Sequence, residues 1–262
     1  MNMVDSLTSF RFITAFVVFL FHCNIHLNWK VNVKVIDNFF ANGATFMTGF
    51  FVLSGFIMTH VYGNTDFTKR RNIFAFYIKR FARIYPVYIF ATGVFFIVFH
   101  HFKCHEFIRI MLNDIFLIQG YFPSMFELGL NGGTWSLSVE ALLYFLFPFL
   151  MIILNNNGKT ALVIGILGSL LISVNVKCNL GGAIDTIYSN PIFRIPDFLI
   201  GIGCYLLLSK KYFNRGVSYI SFFSLLLCCT LLGHPKYQYV GGGIYNYTAL
   251  WDFDIYCLLF KE

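Results

Sequence analysis

GTWSLSVEALLYFLFPFLMIIL, residues 133–154, carries a single charge, Glu140, in a run otherwise dominated by Leu, Phe and Ile. A helix over 134–154 is roughly 30 Å long, which matches the hydrocarbon core of a bilayer. In lipid the backbone polar groups must be satisfied within the segment, so the run is expected to be helical. Glu140 lies about two turns into it. A carboxylate at that depth is costly and is therefore a functional candidate by default.

Outward from this stretch, comparable apolar runs occur at 8–28, 40–62, 82–99, 160–175, 192–209, 216–233 and 243–260. The expected fold is all-α, a polytopic transmembrane helical bundle of about eight spans. A shorter stretch, 107–120, carries Arg109, Asn113, Asp114 and Gln119. It is expected to be re-entrant or interfacial. Composition agrees with a lipid-embedded chain. Hydrophobic residues make up 58% and charged residues 12% of the chain, against about 25% charge in soluble domains. Mean hydropathy is +0.69. A soluble fold of this size has no core large enough to hide that much apolar surface. The chain reads as one integral membrane domain over 1–262, expected to be incomplete at its C-terminus.

The net charge of +7 does not imply a nucleic-acid partner, because the basic residues sit in short clusters between apolar runs. Lys69, Arg70, Arg71, Lys79, Arg80 and Arg83, against Asp66, mark the segment after the second span as cytoplasmic. Lys210, Lys211 and Arg215 form a second such marker. An even number of crossings must separate the two, which is why 107–120 is not counted as a span. The N-terminus and Asn155–Lys159 are then inside and Trp135 is near the outer face. A misread boundary elsewhere is the competing account. Met1–Ser9 lacks a basic n-region, and no small-x-small cleavage site follows, so the first run is expected to be a retained helix. The seven cysteines are scattered, without a CxxC pair, and read as small apolar residues. HHFKCHE, 100–106, places His101 and His105 four apart but offers no second ligand pair, so no metal is expected.

Four constellations carry candidate chemistry. Arg11 and His22 in the first span are eleven residues apart, about three turns, so with Ala15 and Val18 they share one face and lie about 16 Å apart along the axis. Arg11 is at the cytoplasmic end and His22 deeper. The competing reading is a snorkelling anchor and a histidine hydrogen-bonded to a neighbouring helix. Arg80 and Arg83 in KRFARIYP are three apart, so they are expected to share a helix face, and two guanidiniums at a cytoplasmic helix entrance suit phosphates, which they grip bidentately. The competing reading is ordinary positive-inside charge. Pro86 marks a kink or a helix start. Glu140 is expected at a depth comparable to His22, where a carboxylate can orient an imidazole and raise its basicity. A structural pair or a protonated Glu is the competing reading. In NPIFRIPDFLIGIG, 190–203, Arg194 and Asp197 are spaced to pair, and Gly201 and Gly203 allow close helix packing.

Taken together, these motifs resemble the acyltransferase-3 family of membrane O-acyltransferases. The Arg11/His22 pair, Arg80-x-x-Arg83, FFVLSGFIMT at 50–59, WSLSVE at 135–140 and FRIPDFLIG at 193–201 occur in the family's order across roughly residues 5–210. The family often has Glu where this chain has Asp197, and usually about ten spans. The resemblance implies transfer of an acyl group, commonly acetyl, from cytoplasmic acyl-CoA to a hydroxyl of an envelope glycan or another small molecule. The implied acceptor class includes surface polysaccharide such as lipopolysaccharide O-antigen, and the implied location is the bacterial inner membrane. It nominates His22 as general base with Glu140 beside it in the catalytic role, and Arg11, Arg80 and Arg83 for the donor. Ser54, Trp135, Ser136 and Arg194, within the matched motifs, are expected to contact substrate. No tightly bound cofactor is expected; acyl-CoA is a substrate. No serine or cysteine lies in a nucleophile elbow, which favours direct transfer. Two other readings stand beside this one: a polytopic transporter or glycan flippase, and a truncated, non-catalytic remnant of an acyltransferase.

Overall fold

Helix is the regular structure throughout the described residues of the computed structural model, which are 3–27, 31–33, 36–37, 39, 46–99, 104–122, 133–178 and 184–208. In chain order the α-helices are α1 (Met3–Leu27), α2 (Phe46–Tyr62), α3 (Arg70–Phe99), α4 (Cys104–Ile115), α5 (Trp135–Leu154), α6 (Gly158–Cys178), α7 (Ile184–Ser189) and α8 (Ile195–Leu208). Short 3₁₀ turns occupy Gln119–Tyr121 and Pro191–Arg194. The runs expected at 216–233 and 243–260 lie outside the described residues.

The helices follow the apolar runs, with one correction. The helix begins well before the span expected at 82–99: Lys79 and Arg80, like Arg83, lie inside the 30-residue helix α3. Nothing between Arg70 and Tyr85 breaks a helix, and Lys and Arg are good helix formers. At about 45 Å, α3 is longer than a hydrocarbon core is thick, and its charged residues are concentrated in its first turns. Pro86 therefore does not start the helix; it sits in the interior and leaves the Ala82 carbonyl without its helical donor. The helix start is held by a turn at Asp66. Its Oδ1 accepts from the Thr68 backbone N–H (3.1 Å) and hydroxyl, its Oδ2 is 3.2 Å from Lys69 Nζ, and its carbonyl accepts from Asn72 Nδ2 at 2.8 Å.

Helix α4 spans 12 residues, about 18 Å, too short to cross a bilayer. Among the described residues, Trp135–Leu154 and Gly158–Asn175 are the two helices long and apolar enough to do so, while Arg11–Cys23 and Phe46–Tyr62 are shorter apolar helices. Ile153, Leu171, Phe90 and Ile97 are among many large apolar side chains left exposed, as lipid-facing surfaces are.

The described chain forms two compact units. The described residues of the first fall within 3–60, 157–184 and 196–208. Here α8 is gripped on both sides through glycines. A Cβ on Gly55 of α2 would fall 2.2 Å from the Phe198 carbonyl oxygen, and one on Gly201 of α8 only 1.9 Å from the Val52 carbonyl oxygen. On α6, a Cβ at Gly165 would lie 2.9 Å from both Ile200 N and the Pro196 oxygen. Without a hydrophobic drive between helices in lipid, such backbone approach is what makes the dispersion contact. Leu53, Phe56, Ile200 and Cys204 are buried beside it.

The described residues of the second unit fall within 61–99, 104–122, 133–156 and 185–195. Its centre is aromatic: Phe76 stacks on Phe147 with centroids 5.6 Å apart, and Phe67 meets both edge-on at 5.6 and 5.8 Å. Tyr77 donates its hydroxyl to the Phe145 carbonyl at 2.8 Å and Tyr85 to the Ile115 carbonyl at 3.0 Å, tying α3 to α5 and to the end of α4. The 3₁₀ turn at Gln119 docks on the start of α5, where Gly120 N–H donates to Ser138 Oγ at 3.1 Å and Gln119 Nε2 to the Thr134 carbonyl at 3.0 Å.

Candidate active site

Arg80 is the most enclosed cation among the expected site residues, with 8% of its surface exposed. Its guanidinium carbon lies 4.8 Å from the ring centroid of Tyr62, 5.5 Å from Tyr144 and 5.8 Å from Phe76. Three aromatic faces thus present their negative quadrupoles to one positive charge. Its Nε is buried without a hydrogen-bond partner among the described residues. That is an expensive way to leave a donor. Arg83, three residues on, is exposed. The two were expected to share a face, but positions three apart differ by about 60° around the axis. That is enough to turn one side chain into the cage and the other out of it.

Glu140 joins the same cluster through Tyr144. One turn along α5, the Tyr144 hydroxyl donates to Glu140 Oε2 at 3.2 Å. The second unit therefore contains a continuous series: guanidinium, phenol ring, phenol hydroxyl, carboxylate. Sequence reasoning missed both Tyr62 and Tyr144. The available signal was the four-residue spacing of Glu140 and Tyr144, which puts them on one helix face. Tyr62 had no such signal, because it meets Arg80 only once α2 and α3 are folded together.

Trp135, Ser136 and Arg194 are in this unit as well. Trp135 is buried and its ring lies 4.8 Å from that of Tyr188. Arg194 donates from Nε (2.9 Å) and Nη2 (2.7 Å) to the Tyr188 carbonyl and lies 5.0 Å from the Tyr188 ring and 5.9 Å from the Trp135 ring. Tyr188 lies between two of the expected spans, and burial pushes its phenol up to about 12 despite the opposing pull of Arg194. It is neutral at every physiological pH. Ser136 Oγ donates back to the Gly133 carbonyl at 3.0 Å, so its hydroxyl serves the first turn of α5.

Arg11, His22 and Ser54 belong to the first unit. On α1 the buried stripe is Thr14, Val17 and Phe21, while Phe12, Phe16 and Phe19 are exposed. Arg11, His22 and Val18 are half-buried. By helical periodicity their face lies between the two stripes, about 90° from each. His22 is therefore at the border between the buried and the exposed face of α1. Ser54 is 1% exposed, and its Oγ has no hydrogen-bond partner among the described residues. The neighbouring Thr59 satisfies its hydroxyl on the Gly55 carbonyl at 2.8 Å. The histidine side chains of 100–105 lie outside what the structure describes. Among the described residues no group of His, Cys, Asp and Glu is placed to hold a metal ion.

The family model for the acyltransferase domain of acyltransferase-3 matches residues 4–260. The chain belongs to the acyltransferase-3 family. It is a membrane acyltransferase. A protein of Haemophilus influenzae described as uncharacterized is 27% identical over 188 residues, which is 62% of this chain and 75% of that protein. No solved structure matches.

Proposed function

We propose that this acyltransferase moves an acyl group, commonly acetyl, from cytoplasmic acyl-CoA to a hydroxyl of a cell-surface polysaccharide such as lipopolysaccharide O-antigen. It does so in the bacterial inner membrane, as one domain of about eight spans with its N-terminus inside. The observation that carries this reading is Arg80: a guanidinium enclosed by three aromatic rings with an Nε donor left unpartnered. A fixed planar cation with a spare donor suits a phosphate oxygen, and the exposed Arg83 beside it supplies a second charge to a polyanionic donor. Arg11, at the cytoplasmic end of α1, adds a third.

His22 is the base. Its imidazole takes the proton of the acceptor hydroxyl as that oxygen attacks the thioester carbonyl. The tetrahedral oxyanion collapses, the C–S bond breaks, and the imidazolium returns its proton to the departing thiolate. The acyl ester and free CoA are the products. Glu140 supplies the carboxylate of the site. Ser54, Trp135, Ser136 and Arg194 contribute to acceptor binding.

The test compares the O-acetyl content of surface polysaccharide from cells with and without the gene. Loss of O-acetyl groups on deletion, restored by the wild-type gene, is the expected result. Unchanged acetylation removes the acceptor assignment. Orientation is tested separately with a cysteine placed at Asn72, which an impermeant thiol reagent must fail to label from outside intact cells.

A further inference from the structure

Tyr144 is 8% exposed, and a phenol that deeply buried needs a partner for its hydroxyl. It gives the proton to Glu140 Oε2 at 3.2 Å, while its ring lies 5.5 Å from the Arg80 guanidinium carbon. The ring and the hydroxyl face different charges. Tyr62 and Phe76 supply the other two faces of the Arg80 cage, so the guanidinium keeps aromatic support without the Tyr144 hydroxyl. Glu140 has a different dependence. The Tyr144 hydroxyl reaches the carboxylate at 3.2 Å from the next turn of the same helix, so it favours the rotamer that keeps this contact.

We propose that Tyr144 is a positioning residue for acyl transfer with two separable parts. Its ring holds Arg80 for the donor, and its hydroxyl holds Glu140 for the chemistry. The proposal rests on the roles of Arg80 and Glu140 given above. The separation is chemical: Tyr144→Phe keeps the ring and removes the hydroxyl, whereas Tyr144→Leu removes both.

The experiment uses inverted membrane vesicles carrying the full-length protein and the host polysaccharide, with radiolabelled acetyl-CoA as donor and rates normalised to membrane protein level. Tyr144→Phe is expected to lower kcat about tenfold, the upper end of the scale of one ordinary hydrogen bond, with donor KM within about twofold of wild type. Tyr144→Leu is expected to lower kcat equally and to raise donor KM several-fold as well. Wild-type kcat in Tyr144→Phe overturns the proposal, as does the same loss of both parameters in the two variants, which is what general loosening of α5 produces. Glu140→Gln and Arg80→Lys separate this from the reading beneath it. Full transfer by Glu140→Gln removes the carboxylate's role and Tyr144's with it. An inactive Glu140→Gln beside a fully active Tyr144→Phe removes the Tyr144 role alone.

Discussion

The guanidinium carbon of Arg80, at the end of the third turn of α3, lies 4.8 Å from the centroid of the Tyr62 ring at the C-terminus of α2. The contact is electrostatic rather than a hydrogen bond, so it depends on the ring and not on the phenol oxygen. Tyr62→Phe is expected to leave donor KM within about twofold. Tyr62→Leu is expected to raise it between about twofold and thirtyfold, the range for a partly desolvated cation–π contact. Saturation curves in acetyl-CoA decide the matter. Equal effects of the two variants would show that the hydroxyl, not the ring, is what matters.

Replacing Arg80 with Lys and replacing Arg83 with Lys should differ in size. Lys fits neither the planar stacking of the cage nor a bidentate phosphate grip. Arg80→Lys is therefore expected to raise donor KM about tenfold or more, and the exposed Arg83→Lys by less. The order of the two KM values is the readout, and a larger effect at Arg83 contradicts the cage as the donor's anchor.

For His22, loss of a general base costs typically about 10²–10⁴-fold. His22→Ala is expected to bring transfer to background with normal membrane insertion. Phe19→Ala, on the exposed stripe of the same helix, is expected to retain at least half of wild-type transfer. Measured O-acetylation per unit of inserted protein tests both, and near-normal values for His22→Ala would remove the base from this position.

Glycine substitutions should sort by geometry. Gly201→Ala places a methyl 1.9 Å from a backbone oxygen, while a Cβ at Gly49 or Gly93 meets nothing within 4 Å. The first is expected to destabilise by about 1–3 kcal/mol or more through forced separation of α2 and α8. Gly93→Ala, inside α3, is expected to be neutral or mildly stabilising by helix propensity. Thermal unfolding midpoints in detergent distinguish the cases.

The turn before α3 should respond to acid. The hydrogen bond from the Thr68 hydroxyl, then the one from Lys69, holds the Asp66 carboxyl below its usual 3.8. A depressed carboxyl contributes stability above its unfolded pKa and loses it as pH falls through the folded value. The turn is therefore expected to be intact above about pH 4 and to loosen below it. Hydrogen-exchange protection of the Thr68 amide should fall in that window, and Asp66→Ala should show the low protection already at neutral pH.

Much of the fold was legible because a helix in lipid announces itself by length and apolarity. The run around Glu140 was placed at 134–154, and the helix runs Trp135–Leu154. The start of α3 was not legible. A basic segment reads as loop by charge, and only the Asp66 turn and the absence of a breaker say otherwise. Within the site, the enclosure of Arg80 was hidden for a different reason. Spacing gives the face of one helix, whereas the cage takes rings from the end of α2, from α3 and from α5. The close approach at Gly201 was readable, because small residues in apolar runs have few other uses.

The glycine contact between α2 and α8 also has a consequence for biogenesis. Gly55 and Gly201 touch the opposite helix across 146 residues of chain (201 − 55). At about 5–20 residues per second of synthesis, α2 waits on the order of ten seconds or more in the translocon's surroundings before α8 exists. During that interval its small-residue face, with Ser54 and Gly55, is bare to lipid or to any chaperone or insertase that shields it. Maturation of the first unit is therefore post-insertional, and a ribosome stalled between α6 and α8 leaves a membrane-embedded chain with its central contact unmade. Such a nascent chain is a ready target for membrane quality-control proteases, whatever the condition of the residues that carry the chemistry.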